Sequence, residues 1–281
     1  MITIAWMTVR EMVRRRFAIA ALLGTLGLVA LTGWGLQHIH TIHKQHGVAL
    51  SPLEVRAVTA ALVPLIAYLF SFILAFAAIV LGATMLSAEI ESGVLLPVLA
   101  RPISRGAVVA GKALGLGALL CAYAAISGGL EFAMIDAVTG YQTPHPIAAI
   151  AALSALAIVM LCLTLAVASR LQTVATSIVT VVGFGVSWIV GIVASFAPVY
   201  HNETLLRIGI ISQLLLPSDA LWRVAVYQLQ PVVLIAQFGL KGWPGPFFVL
   251  SPPPPAMLAW SAVWVVAVTA VAVRSFATRD V

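Results

Sequence analysis

The chain has 281 residues, of which 62% are hydrophobic and only 9% charged, proportions that exclude an ordinary water-facing surface. Its net charge of +6 would suggest nucleic acid as a partner of a soluble protein. Here the basic residues flank apolar runs, so anionic lipid and membrane topology account for them, and no nucleic-acid partner is expected.

The first 16 residues place Ile2, Trp6, Val9 and Val13 at helical spacing, continued by Phe17, with Arg10, Glu11 and Arg14 off that stripe. Such a pattern predicts an interfacial helix over 1–16. A membrane crossing needs about 20 apolar residues to traverse roughly 30 Å of hydrocarbon. Six stretches meet that need: Phe17–Leu36, Val58–Met85, Val108–Leu130, Ile147–Ala168, Val174–Ala197 and Ala256–Val273. The second would be about 40 Å long if wholly helical, so it must tilt or project.

Past the first stretch, His38, His40, His43 and His46 crowd what reads as an outer loop. Imidazoles three residues apart can converge on zinc or copper. No Cys, Met or carboxylate lies within the cluster, so these are weak metal candidates and no metal is assigned. Tyr68 and Ser71 interrupt the second apolar run. Glu131 and Asp136 sit at the outer end of the third, where pairing with Arg207 or Arg223 is expected. Cys121 and Cys162 lie inside apolar runs, which supports neither a disulfide framework nor a metal knuckle.

In the fifth run Thr173, Ser177, Thr180, Phe184, Ser187, Gly191 and Ser195 recur every three or four residues. A small, weakly polar stripe of this kind marks close helix packing, a dimer interface or a substrate path. Residues 199–255 form an outer-face region, apolar for a loop and interrupted by Gln228, Gln230, Pro231 and Gln237. It reads as short helices on or dipping into the outer leaflet, followed by Pro252–Pro255 ahead of the last span.

Positively charged loops are retained in the cytoplasm. With the N-terminus inside, ten basic residues, Arg14, Arg15 and Arg16 among them, are cytoplasmic and five are outside. Both termini are therefore expected in the cytoplasm. Gly106 to Lys112 approaches a phosphate-binding loop, but Ala113 stands where magnesium needs a hydroxyl. ATP and magnesium are not expected on this chain, and the stretch reads as the start of a span with a cation at its cytoplasmic end.

The most patterned segment is the cytoplasmic connection over 87–106. Glu89 and Glu91 leave the second span, Gly93 follows, and Leu95, Leu96 and Leu99 make a short apolar stripe. Arg101-Pro102 ends that stripe, because proline cannot continue a helix. Ile103 comes next, Ser104 caps a helix beginning near Arg105, and Gly111-Lys112 opens the third span. At these residues the chain resembles the transmembrane subunits of type 2 ABC transporters, including the copper-related permease group, and Thr8-Val-Arg10-Glu11 is similar to that family's opening helix. Val94 departs from the family pattern, where Thr is frequent, and the outer region is unusually apolar.

The resemblance implies two permeases side by side, identical or different, above separate ATP-binding subunits that carry ATP and magnesium. It implies that Glu89, Glu91, Gly93, Leu95, Leu99, Arg101, Pro102, Ile103, Ser104 and Arg105 couple to the ATPase; for the path or dimer interface, the sequence's own candidates are Tyr68, Ser71 and the fifth-span stripe, which close helix packing also explains. The whole is expected to be one all-α transmembrane domain of about six helices in a bacterial inner membrane, exporting or extracting its cargo. A secondary transporter would need ionisable groups or broken helices near the midplane, which the charges avoid. A scaffold or sensor is the other alternative.

Overall fold

The computed structural model describes residues 2–14, 16–45, 51–91, 105–231 and 245–278. Among these the secondary structure is helical: α1 (Ile2–Arg14), α2 (Arg16–Gln45), α3 (Pro52–Glu91), α4 (Arg105–Thr139), α5 (Pro146–Ala168), α6 (Thr173–Ser195), α7 (Ala197–Tyr200), α8 (Glu203–Leu215), α9 (Ser218–Leu229) and α10 (Pro255–Ala277). Five are long and apolar enough to cross a membrane: α3, α4, α5, α6 with its continuation into α7, and α10.

Helix α5 is the axis of the bundle, packed by α3, α4, α6, α9 and α10. Its residues are apolar on every side, as a helix surrounded by others requires. The alanines at 149, 152 and 157 are buried in these contacts, where small side chains let helix backbones approach. Helix α3 runs 40 residues with Pro64 inside it, about 60 Å at the α-helical rise. It starts six residues before the expected span and ends six after it, so Ser87, Glu89 and Glu91 belong to a helix and not to a connecting loop. Likewise α4 continues past Leu130 to Thr139, which puts Glu131 and Asp136 on the helix.

Helix α2 extends to Gln45, so the backbone at His38, His40 and His43 is helical where an outer loop was expected; His46 lies outside the described residues. His38 is exposed and stacks on Trp34 with ring centroids 4.8 Å apart. The hydroxyls of Thr25, Tyr123 and Ser127 bond to one another at 2.9 and 3.1 Å, and a side chain at Gly33 would touch Met134. Contacts therefore advance together along both helices, so α2 runs parallel to α4 beside a candidate span.

Helix α1 packs on α4 through a face different from the stripe read in the sequence. Thr8 and Met12 are buried, whereas Ile2 and Trp6 are 86% and 68% exposed. The cause is Gly115 on α4: a Cβ there would sit 2.6 Å from the Ala5 carbonyl oxygen, so the two backbones meet only because that position lacks a side chain.

Candidate functional site

Two polar systems occupy opposite ends of the bundle. At one end α3 finishes, α4 and α6 begin, and α5 and α10 finish. Lys112, on the second turn of α4, is buried and forms an ion pair with Glu89 of α3. It also donates to the Met85 carbonyl at 2.6 Å. The stretch 106–112 is helical throughout, so it is not the glycine-rich loop that wraps a phosphate with successive backbone amides.

Two residues beyond Glu89, Glu91 Oε1 accepts from Thr173 N at 2.6 Å and Thr173 Oγ1 at 3.1 Å. It thereby supplies the N-terminus of α6 with the acceptor that Gln172, at the N-cap, does not. The Ser87 hydroxyl bonds to the Thr176 hydroxyl at 3.2 Å and the Ala168 carbonyl at 3.3 Å. Arg170 donates to Ser275 and Thr278 at 2.7 and 2.8 Å, tying the end of α10 to the same place. Gly93, Leu95, Leu99, Arg101, Pro102, Ile103 and Ser104 lie outside the described residues. Arg105 opens α4, where a helix start was expected.

At the other end a helical hairpin enters the bundle. Asn202 Oδ1 caps α8 by accepting from Thr204 N and Leu205 N at 2.9 and 3.3 Å. Helices α8 and α9 meet at 102°. The pair is a re-entrant loop and not a broken span, because both of its ends lie at one end of the bundle. Helix α8 starts just past α6, and α9 finishes against the α4–α5 connection, where Tyr141 OH donates to Leu229 O at 3.1 Å and His145 N to Gln228 O at 3.1 Å. Burial pushes the Tyr141 phenol up to about 12. Trp260 and Trp264 of α10 donate to the Leu214 and Leu215 carbonyls at 3.0 and 2.9 Å, holding the tip roughly 8–14 Å along α10 from its start.

The tip brings charge into the bundle. Asp219 Oδ2 accepts from Arg223 Nε and Gln213 Nε2, both at 2.8 Å, and Arg223 Nη2 donates to the Gly191 carbonyl at 2.8 Å. The missing side chain of Gly191 makes room for this, since a Cβ there would fall on the Asp219 carboxylate. Next to this pair, Ser187 and Ser218 share a bond of 3.2 Å. Tyr68, Ser71 and Phe184 line one small cavity with Trp188, Ser218, Asp219 and Trp222.

The two weakly polar features read from the sequence, on α3 and α6, thus meet inside a single chain. Thr180, Phe184, Ser187 and Gly191 are buried there. Thr173 belongs to the opposite polar system, Ser177 lies one turn farther along α6, and Ser195 bonds to its own helix at Ile192 O. The outward face of α6 is instead a β-branched ridge: Val174, Ile178, Val182, Val186 and Ile189 are each more than half exposed.

The expected partners of Glu131 are engaged elsewhere. Arg207 bonds to Glu203 at 3.1 Å and Arg223 to Asp219. Glu131 is buried with neither carboxylate oxygen hydrogen-bonded among the described residues, and Thr32 beside it donates to Leu28 O at 2.9 Å. Sequence reasoning missed Trp188, Ser218, Asp219 and Trp222, and gave Arg223 to the wrong carboxylate. The Asp219/Arg223 pair at i,i+4 spacing, flanking Trp222 in an apolar region, was the available signal.

Residues 2–281 match the family model described as ABC-2 family transporter protein, and the match does not single out the copper-related group. No curated protein matches the chain.

Proposed function

We propose that this chain, which belongs to the ABC-2 family of transporter proteins, drives export or extraction of a cargo with ATP hydrolysed on a separate subunit. Family membership makes it the transmembrane component of an ABC transporter. The ATP-binding partner carrying ATP and magnesium, the second permease and the outward direction are the further content of the proposal. So is a six-span arrangement in a bacterial inner membrane with both termini cytoplasmic. The parallel course of α2 beside α4 supports it, since it adds one crossing to the five apolar spans. The exposed ridge of α6 faces lipid or the second permease.

The observation that carries the coupling part is the way residues 92–104 are framed. The helix before them is tied to α4 by Glu89–Lys112 and to α6 by Glu91–Thr173. A push on that segment from below is therefore delivered to three spans at once. In this reading Leu95 and Leu99 are the buried anchors of an ATPase interface, and Arg101 and Arg105 its orienting charges. Glu89 and Glu91 are joints that pass the movement on. Gly93, Pro102, Ile103 and Ser104 shape the turn.

The test is co-purification with the co-encoded ATPase and measurement of cargo-stimulated ATP turnover for Leu99→Asp and Glu91→Lys. The Leu99 variant loses the complex. The Glu91 variant keeps the complex and loses stimulation. Full retention of both properties by both variants removes 87–106 from the mechanism.

A further inference from the structure

Among the described residues, three polar groups of the hairpin site have no partner. Tyr68 OH, Trp188 Nε1 and Trp222 Nε1 are all buried, and none has a hydrogen-bond partner among the described residues. Tyr68 and Trp222 are 7% and 5% exposed as whole residues, so bulk water does not serve them. Buried donors are ordinarily satisfied, because each left unmade carries the full cost of its desolvation. Three such donors on α3, α6 and α9 belong to residues lining one cavity, closed at the hairpin tip by Ser218 and Asp219.

The cavity's chemistry narrows what it accepts. Among the described residues both hydrogen bonds to Asp219 fall on Oδ2, and with Oδ1 packed on Gly191 the carboxylate keeps unused acceptor capacity at the cavity wall. An anion would meet the Asp219 carboxylate. A cation would meet indole N–H groups, which only donate. An uncharged oxygen bearing a proton satisfies both sides, since it accepts from the indoles and the phenol and donates to the carboxylate. A volume of about 20 Å³ admits one oxygen-sized group and little more.

We propose that the Tyr68–Trp188–Trp222–Asp219 cavity is a binding site for a single uncharged hydroxyl-type oxygen, supplied by water or by a hydroxyl group of an amphiphilic cargo. Its position between α3 and α6, under a re-entrant tip, makes it a subsite where such a cargo is sensed near one end of the bundle. That cargo role rests on the transport reading above. The occupancy does not, and it is measured without ATP or a partner chain.

The experiment is ultraviolet resonance Raman of the indole N–H on protein in lipid nanodiscs, as difference spectra against Trp188→Phe and Trp222→Phe. The indole bands sit at hydrogen-bonded positions in the parent protein. They move to the unbonded position when Leu156 of α5, which also lines the cavity, is enlarged to fill it in Leu156→Phe. Unbonded indoles in the parent, or bonded ones unaffected by Leu156→Phe, overturn the site. Tyr68→Phe gives an independent sign: an occupied site predicts a lower melting temperature, whereas an unoccupied one predicts an equal or higher value because an orphaned hydroxyl has been removed, and that result also overturns the proposal. Loading with 1-octanol, against octane as the hydroxyl-free control, separates the two sources. A nuclear Overhauser contact between the octanol C1 protons and the indole N–H of Trp188 or Trp222, absent with octane, supports the cargo role, and its absence overturns that role, leaving water as the occupant.

Discussion

Replacing Gly191 with alanine tests whether the re-entrant hairpin is held by charge. The new Cβ would lie 2.5 Å from Asp219 Cγ and 2.9 Å from Oδ2, so the carboxylate must leave its place. Asp219 and Arg223 side chains are only 7% and 19% exposed, and neither finds water easily once separated. Breaking a buried pair costs about 3–5 kcal/mol. Alanine returns about 1 kcal/mol of helix propensity over glycine, leaving a net destabilisation of about 2–4 kcal/mol. The expected drop in melting temperature, followed by tryptophan emission in detergent, is roughly 5–10 °C for a chain of this size.

A double-mutant cycle makes the attribution specific. Asp219→Ala is destabilising by itself because it strands Arg223. Adding Gly191→Ala to it should cost almost nothing further, because the group that the Cβ strikes is gone. Additive losses, or a Gly191→Ala protein that melts with the parent, would refute the packing of the tip against α6.

At the opposite end, Lys112→Ala removes the buried cation that bonds both Glu89 and the Met85 carbonyl and should cost about 3–5 kcal/mol; Lys112→Met combined with Glu89→Leu should recover much of it, read by the same melts. Glu91→Ala removes the acceptor at the start of α6, a loss of about 1 kcal/mol, and Glu91→Lys adds an unfavourable charge at that helix end, about 0.3–1 kcal/mol more, with membrane insertion unchanged on fractionation. For Tyr141 the folded phenol, at about 12, lies above its ordinary value of about 10. The folded state therefore holds the proton longer, its contribution is complete below pH about 10 and is lost as pH rises to about 12, and Tyr141→Phe should flatten that alkaline limb of the stability profile. A cysteine at Glu203, whose side chain is 85% exposed, should react with a membrane-impermeant reagent added to intact cells; protection there together with labelling near the C-terminus would invert the proposed topology.

Much of the architecture was readable from the chain because a bilayer imposes a local rule. Each span must be apolar over about 20 consecutive residues, so Ile147–Ala168 could be placed within one residue of α5, and Ala256–Val273 within α10. Helix ends were harder. Nothing local stops α3 before Glu91 or α4 before Thr139, since helical hydrogen bonding continues into water once packing supports it. The histidines after Leu36 were assigned to a loop for the same reason: polarity marks where lipid ends, not where a helix does.

The site divides along the same line. The sequence by itself determined that this is a polytopic helical membrane protein with a patterned 87–106 segment and weakly polar positions on its second and fifth spans, because periodicity and composition are properties of neighbouring residues. Only the tertiary structure decided that Tyr68, Trp188 and Trp222 surround one cavity, that Glu91 caps α6, and that Asp219 is carried into the bundle on a hairpin tip. Those residues are far apart in the chain. Their meeting depends on how closely helices approach, as where Gly191 leaves room for Asp219, and that is set by the packing of all the helices together, which no single stretch of sequence encodes.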